Sequence, residues 1–137
     1  MNVALDNNSD YWVVDSEASC HATPHRKLFH DYVPGVLLGD DEPCKIVGMG
    51  KVHIKLNNGN EWLLKYVRNI LSMKINVTST WQLGDNNYLS TFGKTWWNIT
   101  KGALVISKGD SVGTLYLCPH NTNYYFFVDS TETCATF

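Results

Sequence analysis

Lys51-Val52-His53-Ile54-Lys55-Leu56 alternates polar and apolar residues with a period of two, and Asn57-Asn58-Gly59-Asn60 follows it directly. A period of two sends alternate side chains to opposite faces of a strand. Asn-Gly tolerates the positive φ of a tight turn. The next run, Glu61 to Val67, is again β-rich, so the whole stretch predicts an antiparallel hairpin with one wet face. The rest of the chain repeats this pattern. Tyr11 to Val14 is an apolar run that stops at Asp15 and feeds a loop from Asp15 to Asp31. Val36-Leu37-Leu38 ends at the turn signal Gly39-Asp40-Asp41, and Lys45 to Gly50 reads as a strand parted from Lys51 to Leu56 near Gly48-Met49-Gly50. Tyr88 to Phe92, Trp96 to Thr100, Ala103 to Ser107 and Gly113 to Cys118 follow, separated by Gly93-Lys94, Lys101-Gly102 and Lys108-Gly109-Asp110. Strands at intervals of about eight to twelve residues predict an all-β barrel or sandwich. Only Ser79 to Leu83 reads as a helical turn, so at most one short helix is expected.

The 137 residues suit one domain, with 44% hydrophobic and 18% charged residues placing it among globular chains. A net charge of −2 offers no basic stripe, so direct nucleic-acid contact is not expected. No run of 18 apolar residues suggests a membrane helix. Met1 to Asp10 is polar and lacks the basic and apolar regions of a signal peptide, so the expected setting is the cytoplasm. In that reducing setting Cys20, Cys44, Cys118 and Cys134, widely spaced, read as free thiols, and the sequons at Asn7, Asn76 and Asn98 carry no meaning. No metal or cofactor is expected: Cys118-Pro119-His120 has no matching second pair. Three parts are expected: a polar extension over 1–10, a β domain over 11–118, and a divergent tail over 119–137 that holds the apolar run Tyr124 to Val128.

The candidate site is Asp15-Ser16-Glu17, directly after the first apolar run. By itself Asp-Ser after a strand is an ordinary Asx or Ser turn. The surrounding residues carry more. Trp12-Val13-Val14-Asp15-Ser16, Ala18-Ser19, His21 and Thr23 resemble the Trp-x-x-Asp-Ser-Gly-Ala-Ser-x-His-x-Thr stretch in the protease region of copia-type retrotransposon Gag-Pol polyproteins. Leu37 to Asp41, Pro43 to Gly50, Val67-Arg68, Asn76, Ser79 and Gln82-Leu83 continue the similarity in the same order. Trp97, Thr100 to Ala103 and Gly113 to Tyr116 extend it, so that it covers roughly 11–118.

That resemblance implies a small closed or partly open β-barrel of the retroviral aspartic protease-like type, working on polypeptide as a homodimer with Asp15 from each copy. Two carboxylates held so close share one proton and activate a water between them. Ser16 would brace the loop across the dimer. Three departures stand out. Glu17 occupies the motif glycine's position, Asn69 replaces a histidine, and Leu71 replaces a proline. Glu17 adds charge beside a dyad that tolerates only one ionised member, so the expected chemistry is impaired. The alternatives are a non-catalytic domain that dimerises or binds peptide, and a relic fragment.

Other residues have plainer expected roles. His21 is expected to pack or hydrogen-bond in the loop rather than act as a base on Ser19 or Cys20. His25, His30, His53 and His120 show no ligand spacing. Gly48-Met49-Gly50 reads either as a flap tip or as an ordinary turn. Trp81, Trp96 and Trp97 read as core or interface residues, because a nucleic-acid stacking platform would need basic charge around it.

Overall fold

The computed structural model describes residues 11–35, 45–56 and 59–119. Ten strands occupy most of that length: β1 (Tyr11–Asp15), β2 (Ala22–Thr23), β3 (Phe29–Pro34), β4 (Ile46–Lys55), β5 (Glu61–Ile70), β6 (Asn76–Ser79), β7 (Leu89–Phe92), β8 (Trp96–Lys101), β9 (Leu104–Val112) and β10 (Leu115–Pro119). A 3-10 turn at Arg26–Leu28 and the five-residue helix α1 (Thr80–Gly84) complete the elements. The all-β expectation therefore holds. No helix among the described residues is long and apolar enough to cross a membrane.

The strand order is β3-β4-β5-β2-β6-β1-β10-β9-β8-β7, with β3 and β7 as its two ends. Among the described residues hydrogen bonding thus leaves the sheet open, and no ladder between them closes it into a barrel. The sheet nevertheless curls. Leu63, Leu64 and Lys65 of β5 line the same cavity of about 100 Å³ as Lys101 of β8, although six strand spacings would part them by roughly 29 Å in a flat sheet. Among the described residues one short helix cannot cover ten strands, and the sheet buries its own inner face. That face holds Trp12 and Val14 of β1, Val52 and Ile54 of β4, Trp62 and Leu64 of β5, Trp97 and Ile99 of β8, and Cys118 of β10.

The period-two pattern of β4 places Val52 and Ile54 inward, as predicted, and the hairpin to β5 is closed by Lys55 opposite Glu61. In β5 the buried positions run 62, 64 and then 67, so the alternation slips by one residue. Val52 pairs with Leu64 but Gly50 pairs with Val67, which leaves one extra residue on β5. This is a bulge, and Tyr66 within it has φ 57°.

Three sequence expectations are corrected. Gly48-Met49-Gly50 is neither a flap tip nor a turn, because it lies inside the unbroken strand β4. Lys108-Gly109-Asp110 is likewise strand rather than turn, within β9. A close approach explains both: a Cβ on Gly48 would fall within the Tyr32 ring, and one on Gly109 would stand 2.8 Å from the Trp97 indole. The long loop from Asp15 to Asp31 contains β2, a 3-10 turn and the start of β3. The apolar run Val36 to Leu38, residues 57 and 58 of the hairpin turn, the 1–10 extension and the tail from residue 120 lie outside the described residues.

Candidate functional site

β1 is an interior strand, parallel to β6 on one side and antiparallel to β10 on the other. Its burial explains the run Trp12-Val13-Val14, in which all three residues are buried. Asp15 ends this strand, half-buried and in register with Ser79 at the end of β6. Beyond it Ser16 and Glu17 are exposed. The Glu17 backbone N–H donates to Asp15 Oδ1 at 2.7 Å. This is the Asx turn that the dipeptide alone suggested, and it occupies one carboxylate oxygen.

The loop after Asp15 is fastened by residues from three other elements. Ser79 caps α1, its Oγ accepting from the Gln82 N–H at 3.0 Å, and the same hydroxyl donates to the Ala18 carbonyl at 2.7 Å. The Ser79 backbone N–H donates to His21 Nδ1 at 3.0 Å. Gln82 accepts the His21 backbone N–H through Oε1 at 2.8 Å, and its Nε2 donates to the Lys65 carbonyl at 3.1 Å. Finally, the Arg68 N–H donates to the His21 carbonyl at 3.0 Å. His21 therefore links the loop to β5, β6 and α1, and is only 2% exposed. Burial, helped by the positive charge of Arg68, pushes its pKa down to about 4.

A second bolt lies beside the first. Thr23 Oγ1 donates to Asn76 Oδ1 at 2.6 Å, and Asn76 Nδ2 donates to the Tyr11 carbonyl at 2.8 Å. His21 and Thr23 come from the first motif block, whereas Asn76, Ser79 and Gln82 come from a later one. The fold joins the two blocks through these two sets of hydrogen bonds, next to the end of β1.

His21 has the packing role expected for it. With Nδ1 accepting the Ser79 N–H, it is not placed as a base for Ser19 or Cys20. Cys20 and Cys118 are free thiols. Of the departures, Asn69 is buried and donates to the Tyr32 hydroxyl at 2.8 Å, and Leu71 is exposed in a turn. Trp97 belongs to the core, while Trp96 and Trp81 are 43% and 71% exposed. Asn76 is fully buried, so its sequon is closed to modification in the folded chain. The roles of Ser79 and Gln82 were missed in the sequence. Their Ser-x-x-Gln spacing is a helix-capping pattern, but here Gln82 reaches the His21 N–H instead of its own cap.

A family model described as "Pol polyprotein, beta-barrel domain" matches residues 12–88. The chain is 45% identical over 116 residues to the "Retrovirus-related Pol polyprotein from transposon TNT 1-94" of Nicotiana tabacum. That similarity covers 82% of this chain but only 9% of the relative's length. No solved structure matches the chain.

Proposed function

Because the chain belongs to the Pol polyprotein beta-barrel domain family, and is thus a retrotransposon-derived domain, we propose that it descends from a polyprotein-processing aspartic peptidase and is impaired in that chemistry by Glu17. The observation that carries this reading is the position of Asp15 at the end of a buried interior strand, with the exposed pair Ser16-Glu17 directly beyond it. One chain offers one such carboxylate. The proposed catalytic unit is a homodimer in which Asp15 and its counterpart share a proton and activate water against a polypeptide. The domain proper spans 11–118, and curling of the open sheet supports a partly open barrel.

Glu17 bears on the second reading. An exposed carboxylate two residues from Asp15, doubled in a dimer, opposes ionisation of the dyad and fills the space where the substrate backbone would run. This favours a non-catalytic domain that dimerises or binds peptide. Cleavage of a mixed peptide library between pH 4 and 7 tests both readings, with wild type, Glu17→Gly and the double variant Asp15→Asn/Glu17→Gly side by side. Cleavage restored by Glu17→Gly and abolished in the double variant is expected. If Glu17→Gly yields no gain, Glu17 is not what silences the chain. Peptide binding that persists in Asp15→Asn without cleavage by any variant would support the second reading.

A further inference from the structure

His30 and His53 are 23 residues apart and show no ligand spacing along the chain, yet the pairing of β3 with β4 brings them together. His30 stands opposite Lys51, so His53, two residues further along β4, is its diagonal neighbour. Val52 and Ile54, on either side of His53, point into the core. His53 therefore lies on the outer face, half-buried, with His30 exposed beside it. The two ring centres stand 4.8 Å apart, with the ring planes tilted by 52°. An imidazole nitrogen about 2.0–2.1 Å from a zinc ion holds its ring centre about 3.2 Å from the metal, so two such rings at a tetrahedral angle sit about 5 Å apart. The observed separation matches two ligands on one ion.

The surroundings suit the same chemistry. Glu61 Oε1 lies 3.9 Å from His53 Nδ1. A carboxylate on that side favours the ring proton on Nδ1 and leaves the Nε2 lone pair for a metal. The lysines that flank His53 along β4 are each faced by an acid, Lys51 by Asp31 at 3.2 Å and Lys55 by Glu61 at 4.0 Å. Neither leaves an unopposed positive charge beside the rings.

We propose that His30 and His53 form a two-imidazole site for a divalent transition-metal ion of the zinc type. No group of three or more His, Cys, Asp and Glu residues able to hold a metal gathers among the described residues. The protein therefore supplies two ligands, Glu61 positions one of them, and water completes the shell. Imidazole selects zinc, nickel or copper over magnesium and calcium, which prefer oxygen. Because the two ligands come from adjacent strands, the ion would clip β3, the terminal strand of the ladder order, to β4. The site does not depend on Asp15 and does not rest on the proteolytic reading.

The test is a zinc chloride titration of the intact chain at neutral pH, read on the ¹H–¹⁵N ring resonances of its histidines, with magnesium chloride as the control. The His30 and His53 rings should respond together, saturate at one zinc per chain and ignore magnesium. His30→Gln and His53→Gln should each weaken binding by about tenfold or more, and Glu61→Gln by about tenfold. The thermal midpoint should rise with zinc in wild type and in neither histidine variant, while the three chains melt alike without metal. A response from only one of the two rings, an equal response to magnesium, or binding that survives either histidine substitution, as coordination by thiols would, overturns the proposal. Unchanged affinity in Glu61→Gln overturns the role given to Glu61.

Discussion

Acidification should loosen the loop that carries Asp15, through His21. The imidazole titrates at about 4 in the folded chain, against an ordinary 6.5. The shift arises chiefly from burial and secondarily from Arg68. Below pH 6.5 the unfolded chain takes up a proton that the folded chain refuses until about pH 4, so in that window the unfolded state binds more protons and stability falls as pH falls. A gap of about 2.5 pKa units at roughly 1.36 kcal/mol each amounts to about 3 kcal/mol from this one residue. For a domain whose total stability is on the order of 5–15 kcal/mol, that is a substantial fraction. Protonation also removes the acceptor that the Ser79 N–H requires, which is why the loss is local to the loop. The assay is urea denaturation between pH 4 and 7.5, comparing wild type with His21→Asn, whose side-chain oxygen can still accept from Ser79 but cannot titrate. Wild type should be the more stable at neutral pH, and the two curves should converge by about 3 kcal/mol toward pH 4. His25, whose pKa is also lowered by burial and then by Lys27, contributes equally to both curves. Parallel curves, or a His21 resonance titrating near 6.5, would refute the reasoning.

Further outcomes follow from packing and hydrogen bonding. Gly109→Ala places a methyl 2.8 Å from the buried Trp97 indole and should destabilise by about 1–3 kcal/mol, seen as a lower urea midpoint with unchanged slope. Gly48→Ala meets the partly buried Tyr32 ring and should act in the same direction. Thr23→Val removes the donor to Asn76 Oδ1 and the acceptor for the His25 N–H. It should cost about 1–3 kcal/mol by the same measurement, and an unchanged midpoint would show that the bolt contributes nothing.

The strands were legible wherever one face is wet. β4 beyond Gly50, β5, β7 and β8 alternate, or end at Gly-containing turns, and the sequence placed each to within a few residues. The two misread turns share one physical cause. Glycine serves both to turn a chain and to let a neighbouring ring approach a strand, and sequence alone cannot separate the two uses. At Gly48 the neighbour is Tyr32, 16 residues earlier, and at Gly109 it is Trp97, 12 residues earlier. The two-residue β2 was hidden for another reason: Ala22 and Thr23 pair with strands about 46 and 55 residues later. The turn at Asp15-Ser16-Glu17 was legible because its residues are contiguous. The fastening of His21 was not legible, because its partners Arg68, Ser79 and Gln82 stand 47, 58 and 61 residues later.

If Asp15 acts in the proposed dimer, the two halves of that site make opposing demands on pH. A carboxylate dyad works with one proton shared between its members, a state favoured by mild acidity. The fastening beneath it requires His21 to remain neutral, a state that acid removes. Asp15 is joined to that fastening directly, since β1 and β6 run in parallel and bring Asp15 level with Ser79, whose N–H is the group His21 holds. A chain restored at Glu17 would therefore gain dyad protonation and lose loop order over the same pH interval. Its activity should rise on acidification from neutral, then fall near the point where His21 charges, with the falling limb following loop order and not dyad ionisation. Replacing His21 by Asn in the restored chain should move that limb to lower pH and leave the rising limb in place. The reverse result would mean that the dyad alone sets both limbs.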